Sequence, residues 1–242
     1  MSRRRSCRRF GRYRAAPWSG VPGHDEQHLV RRQENGGTMA QRTVGIVLFD
    51  GFELLDVVGP LELLSRRPDE FEILLLGPEA GPVSSGQGSQ MVAGHGYEHA
   101  PTPSIVLVPG GPGTRSLVED QHFLRWLRTW SAGADLVTSV CTGSALLAAA
   151  GLLDGYRATS NKRAFAWVSS LRGEVEWMPR ARWVQDGARW TSSGVAAGMD
   201  MTAALIGELL GPAEAERVAW EIELEVRQDP TWDPFAVTDD RG

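Results

Sequence analysis

The stretch Thr138-Ser-Val-Cys-Thr-Gly-Ser144 passes from strand to helix without a loop. Leu136 to Val140 is a short apolar run, the mark of a strand buried on both faces. Thr142 to Ala150 is almost wholly small and apolar, as a buried helix would be. Cys141 stands on the turn between them. A sharp strand-to-helix turn of this kind exposes an attacking atom. The unpaired N–H groups and dipole of the helix start favour a thiolate, so the thiol is expected to titrate well below the ~8.5 of a free cysteine. Free cysteines are otherwise among the most buried and inert residues. A cysteine on the turn itself, followed by Thr-Gly-Ser, does not fit that description.

Working outward, the same alternation recurs. Thr43 to Phe49, Phe71 to Leu76 and Ser104 to Val108 are further apolar strand patterns. Between them, one helix is expected to open at Pro60 with Gly59 before it. Another is expected from Thr114 to about Trp130, with Phe123, Leu127 and Trp130 on one stripe. Pro82 to His99 reads as a hairpin on one edge, and Trp183 to Trp190 as a second hairpin turning at Asp186-Gly187. Helices over about Val195 to Leu210 and Ala213 to Arg227 follow, the last with Val218, Ile222 and Val226 on one stripe, able to dock on its own domain or a partner. Such alternation implies an α/β sandwich with a mainly parallel sheet.

Composition narrows the function. The 242 residues carry 25 Lys+Arg against 30 Asp+Glu, and 42% are hydrophobic, enough for one sizeable core. No run of 18 apolar residues occurs, so no membrane span is expected. Cys7 and Cys141 are the two cysteines, which excludes a disulfide framework and fits a reducing, cytoplasmic compartment. The single lysine, Lys162, stands outside any Gly-Lys-Ser/Thr sequence, which rules out a Walker A loop. Residues 1–38 hold 9 Arg and 3 acids, a net of +6, against 16 basic and 27 acidic residues from Met39 onward, a net of −11. A basic arm can tether nucleic acid or membrane. This one has no periodicity and no signal-peptide core, so residues 1–38 are expected to be a disordered extension, with Met39 the genuine start and residues 39–242 a single domain.

Ligands of doubly wound folds collect at the carboxyl ends of the strands. Two more strand ends carry candidates. Val108-Pro-Gly-Gly-Pro-Gly113 lacks the G-x-G-x-x-G spacing, since Ser116 stands where the third glycine belongs. Its glycines fit a backbone that approaches a ligand closely, with N–H groups able to form an oxyanion hole together with the amide of Thr142; a plain Gly-rich turn is the alternative. In Leu54-Leu-Asp-Val-Val-Gly-Pro60, Asp56 is an acid in an apolar stretch, expected just outside the helix that Pro60 opens. It is either a cap or a functional group of perturbed pKa, and the spacing leaves both open. His95-Gly-Tyr-Glu-His99 matches the H-x-x-E-H zinc pattern, but Gly94, Gly96 and Pro101 argue against the helix which that chemistry needs. No metal site is expected.

Taken together, Leu55 to Pro60 (LDVVGP), Val108 to Gly113 (VPGGPG) and Val137 to Thr159 (VTSVCTGSALLAAAGLLDGYRAT), with a weaker match over Thr191 to Asp200, resemble the ThiJ/PfpI superfamily. That superfamily includes the parkinsonism-associated deglycases, and the likeness is greatest to its isocyanide (isonitrile) hydratases. It covers roughly Arg42 to Arg227. The resemblance implies a flavodoxin-like three-layer sandwich of the class I glutamine-amidotransferase type. It implies Cys141 as nucleophile, Asp56 as acidic partner and Thr142 beside the thiol. Gly111 and Thr142 would supply the oxyanion amides, and Gly110 and Gly194 would border the substrate. One departure stands out. Relatives carry a histidine in the segment after Arg-Ala-Thr, whereas here Asn161 takes that place with Lys162 beside it, and no histidine follows His122. A Cys-His dyad from that segment is impossible, which argues against a peptidase, and Asn161 and Lys162 would reshape one pocket wall. The implied activity is hydration of a small electrophile such as an isocyanide, without metal or organic cofactor, by a homodimer that binds neither nucleic acid nor membrane. The alternatives are a glyoxalase- or deglycase-like activity on α-oxoaldehydes, and a non-catalytic ligand or redox sensor like the equivalent domain of AraC-type regulators. Those regulators append a helix-turn-helix region, and only about 15 residues follow Arg227.

Overall fold

The computed structural model describes residues 41–236, so the Arg-rich extension and Cys7 lie outside the described residues. A seven-stranded sheet forms the centre. In chain order its strands are β1 (Arg42–Val47), β2 (Phe71–Gly77), β5 (His95–Gly96), β6 (Ile105–Val108), β7 (Leu136–Ser139), β10 (Trp183–Asp186) and β11 (Arg189–Ser192). The spatial order is β10-β11-β7-β6-β1-β2-β5, parallel throughout except for the β10–β11 hairpin at one edge. The hairpin turns at Asp186-Gly187 as its sequence requires, with Asp186 opposite Arg189. β1 and β6 are buried almost throughout, which is why they read as continuous apolar runs.

The helices are α1 (Leu54–Leu64), α2 (Thr114–Leu117), α3 (Gln121–Ser131), α4 (Gly143–Ala149), α5 (Phe165–Ser169), α6 (Ala197–Leu210) and α7 (Pro212–Glu221). The chain moves one way along the sheet from β1 to β2 and the other way from β6 to β7. Right-handed crossovers therefore place α1 and α3 on opposite faces. α1 packs with α6, and α6 with α7, while α2 and α5 both pack on α4. Gly45 in β1 leaves room for the Trp130 ring of α3, 2.6 Å from where a Cβ would stand. The direction reversal between β1 and β6 makes their carboxyl ends a crevice.

Several expectations are corrected. α1 begins at Leu54, a turn and a half before Pro60, so Asp56 lies within its first turn. Pro60 forfeits one bond to the Asp56 carbonyl, a cost of ~3 kcal/mol in a helix interior, and burial of Val57, Leu63 and Leu64 offsets it. Gly59 does not cap the helix; its missing Cβ admits Met199 of α6 at 2.8 Å. The helix expected over Thr114 to Trp130 breaks at Asp120, whose carboxylate accepts the N–H of His122 and Phe123 and starts α3 afresh. The segment Pro82 to His99 divides: β3 (Gly81–Ser84) and β4 (Gln90–Ala93) pair as a separate two-stranded sheet, and β5 joins the main one. His95 lies in β5 and His99 in a 3₁₀ turn, so the two histidines do not share a helix face. α7 ends at Glu221, so of the expected stripe only Val218 lies on the helix and Ile222 and Val226 fall beyond it. The short pair β8 (Arg157–Ala158) and β9 (Glu176–Trp177) completes the fold. Among the described residues, no helix is long and apolar enough to cross a membrane.

Candidate active site

Cys141 sits at φ +58°, between the end of β7 and the start of α4. A non-glycine residue in the left-handed region costs of order 1–3 kcal/mol and persists only where its surroundings hold it. Here the Cys141 N–H donates to the Ser193 carbonyl at 3.0 Å. Its own carbonyl accepts the hydroxyls of Ser144 at 3.1 Å and Ser160 at 3.0 Å. Gly143 is forced by space, because a Cβ there would stand 2.1 Å from the Val108 carbonyl oxygen. The thiol is 6% exposed.

The Asn161 Nδ2 amide donates to the sulfur at 3.2 Å, and the backbone N–H groups of Thr142 and Val195 lie near enough to favour its charged form. Asn161 is oriented by its own oxygen, which accepts the N–H of Arg163 at 2.9 Å and of Ala164 at 3.1 Å, and so turns its nitrogen toward Cys141. Gly194 clears the space for it; a Cβ there would lie 2.5 Å from Asn161 Nδ2. Opposite stands Asp56, fully buried, with Oδ2 accepting the Gly110 N–H at 2.8 Å. Its Oδ1 is buried without a hydrogen-bond partner, and the Cys141 thiol lies near enough to bear on its acidity. Gly110 admits both groups, since a Cβ would meet the Thr142 nitrogen at 2.5 Å and the Cys141 Cβ at 2.9 Å.

Burial dominates the electrostatics. Loss of water pushes the Asp56 carboxyl up from 3.8 to about 7; the Gly110 N–H works against this, the Glu53 charge adds to it and the Cys141 thiol opposes it. The thiol is pushed up from 9.0 to about 12, first by burial and then by the Asp56 charge, against the donors Thr142, Asn161 and Val195. The thiol acidity expected from the helix start is therefore reversed: dehydration and a neighbouring carboxylate outweigh the amides of a seven-residue helix. Burial holds both groups toward their neutral forms, and because each charge disfavours the other they titrate as one coupled pair.

The expected oxyanion pair also changes. The Gly111 N–H donates to Thr142 Oγ1 at 3.0 Å, and the Gly110 N–H serves Asp56. Gly111 adopts φ +127°, which only glycine takes readily, and a Cβ would stand 2.3 Å from the Gly51 oxygen. Lys162 does not join the site. It is buried, and its amine donates to Thr159 Oγ1 at 2.8 Å and the Ala181 carbonyl at 2.5 Å. Burial lowers its pKa to about 8. Cys141, Asp56, Thr142, Gly110, Gly111, Asn161 and Gly194 thus converge, and Lys162 turns away. Sequence reading missed Val195, which contributes a backbone N–H at φ +40°, and Gln87, whose Oε1 accepts the Leu54 N–H while its amide donates to Glu53. A backbone donor leaves no side-chain signature, and Gln87 reaches α1 from the distant β3–β4 turn.

A parallel α/β sandwich with a cysteine on a strained elbow, facing a buried carboxylate at the sheet crevice, defines a class of thiol-bearing proteins. The DJ-1/PfpI family matches residues 42–208, and the chain belongs to that family. It is 36% identical over 204 residues to the isonitrile hydratase of Pseudomonas putida, covering 81% of this chain and 87% of that one. It is 31% identical over 173 residues to the HTH-type transcriptional regulator GbdR of Pseudomonas aeruginosa, covering 69% of this chain but 46% of the regulator. The crystal structure of a ThiJ/PfpI family protein from Pseudomonas syringae superposes with a TM-score of 0.68 at 28% identity, over 86% of this chain and 83% of that one.

Proposed function

We propose that the protein is a cysteine-dependent hydratase that adds water to an isocyanide and releases an N-formamide. The observation that carries this reading is the Cys141–Asp56 pair: a buried thiol that accepts the Asn161 amide, beside a buried carboxyl raised to about 7, with Asn161 in place of a histidine. In the first step the sulfur bonds to the terminal isocyanide carbon while the thiol proton passes through Asp56 to that same carbon, giving a thioimidate. Water then bonds to the carbon, the C–S bond breaks, and Asp56 takes a proton from the water and returns one to the sulfur. The N-formamide leaves after its remaining proton settles on nitrogen. A carboxyl near pH 7 suits such a shuttle, because the best acid–base group has a pKa near the working pH. Asn161 cannot exchange protons, so it holds the sulfur while Asp56 alone moves the proton. The amides of Thr142 and Val195 stabilise the sulfur as it gains charge, and Gly111 keeps Thr142 in place.

The Pseudomonas putida relative supports the substrate class. The same reading includes a small-molecule substrate, a cytoplasmic location and a homodimer in solution; light scattering at working concentration tests the last. A second reading, a ligand sensor without turnover, is favoured by the likeness to GbdR. Turnover decides between them. Alkyl and aryl isocyanides are compared with methylglyoxal, using wild type and Cys141→Ser. Formamide production that vanishes in Cys141→Ser is the expected result. Consumption of methylglyoxal alone would replace the hydratase by a glyoxalase-like enzyme, and binding without product would leave the sensor.

A further inference from the structure

The sole lysine of the chain is buried beside the site without touching the thiol, where a neutral side chain of similar size would bury at lower cost. Its surroundings show what it holds. Thr159, Ser160, Asn161 and Lys162 follow β8 as one short segment: the Thr159 N–H donates to Thr191 Oγ1 at 2.8 Å, while Ser160 Oγ and Asn161 Nδ2 both reach Cys141, at its carbonyl and its sulfur. Lys162 reinforces this segment by donating to both Thr159 Oγ1 and the Ala181 carbonyl, where the Thr159 hydroxyl also donates to the Met178 carbonyl at 2.8 Å and to that of Ala181 at 3.3 Å. Ala181 leads into Arg182, whose guanidinium is buried between Asp200 at 2.6 Å and Asp233 at 3.4 Å. The Arg182 N–H is bonded to the Pro230 carbonyl, and its own carbonyl accepts the N–H of Ser193 at 2.8 Å. Ser193 is the residue that anchors the Cys141 backbone. Arg182 thus pairs with both Asp200 and Asp233, the Asp233 charge also acts on Lys162, and the Phe165 ring lies 5.4 Å from the lysine amine. The cluster joins the Asn161 segment, the start of β10 and the C-terminal segment.

We propose that Lys162 is a positioning residue: by tying the Thr159 segment to Ala181, it holds the Asn161 amide against the Cys141 thiol. The inference rests on Cys141 being the reacting thiol, and its test does not need the isocyanide reaction. The rate of Cys141 alkylation by iodoacetamide is followed on its peptide by mass spectrometry in the full chain. The variants are Lys162→Met, Asn161→Leu and the double substitution, with melting curves for each. Each single change is expected to slow alkylation roughly tenfold, the scale of one hydrogen bond to a sulfur gaining charge. The double variant is expected to react no more slowly than Asn161→Leu, because Lys162 acts through Asn161. An unchanged rate in Lys162→Met overturns the proposal, as does a loss that adds in full to that of Asn161→Leu. Should Lys162→Met not fold, Thr159→Val removes the hydroxyl that the amine grips and enters the same cycle with the same two outcomes. A failure of isocyanide turnover in wild type would count against the hydratase alone.

Discussion

Replacing Asp56 by Asn is expected to make the protein more stable and inactive at once. The carboxyl is fully buried and its pKa is raised from 3.8 to about 7. A raised carboxyl favours the folded state in its neutral form. Its contribution is fully present below pH 3.8 and is lost as the pH rises through about 7. Holding the carboxyl at about 7 rather than 3.8 corresponds to about 4 kcal/mol at pH 8, at ~1.36 kcal/mol per tenfold change in proton affinity. Asn is neutral at every pH, and its oxygen still accepts the Gly110 N–H, so Asp56→Asn removes that penalty. For a domain of this size ~4 kcal/mol corresponds to roughly 8–16 °C in Tm. Turnover should fall by ~10²–10⁴, the usual weight of an acid–base group. Thermal melts of both proteins at pH 4 and pH 8, with kcat on an isocyanide, test this. The Asn variant should melt higher at pH 8 and match wild type at pH 4. A lower melting temperature at pH 8 would mean that Asp56 is a structural anchor, and retained turnover would remove it from the chemistry.

Other outcomes follow from the same geometry. Alkylation of Cys141 in wild type should rise only well above pH 8, since burial and Asp56 hold its proton, and in Asp56→Asn the rise should move to lower pH; identical profiles would refute the coupling. Gly194→Ala puts a methyl 2.5 Å from Asn161 Nδ2, so turnover should fall roughly tenfold, one hydrogen bond to the sulfur, while circular dichroism stays unchanged. A chain beginning at Met39 should match the full chain in melting temperature and turnover, and a clear loss in the shorter protein would overturn the reading of residues 1–38 as a dispensable extension.

The α/β architecture was legible because strands buried on both faces must be apolar along their whole length, as Thr43 to Phe49 and Leu136 to Val140 are. The elbow was legible because one residue separates that last strand from a run of small helical residues. The start of α1 was not. Pro60 is a strong local signal, and it was overridden by burial of Val57, Leu63 and Leu64 and by the close approach of Met199 to Gly59. Likewise Asp120 reads as an ordinary polar residue until its side chain is seen capping α3.

The residue types of the site belong to the sequence: a cysteine on a tight turn, an acid in an apolar stretch, glycines after a strand, and asparagine where a histidine would stand. Their protonation does not. Local reasoning placed Cys141 at a helix start and expected an acidic thiol. The folded chain withdraws water from Cys141 and brings a carboxylate from 85 positions earlier against it. Lys162 shows the same division, since its neighbours in sequence point to the pocket and its amine is claimed by Ala181. Amide signals and helix ends act over one turn and can be read from adjacent residues. Desolvation depends on everything packed around a group, so the pKa values of Cys141 and Asp56, and the partner of Lys162, were decided only when distant strands closed over them.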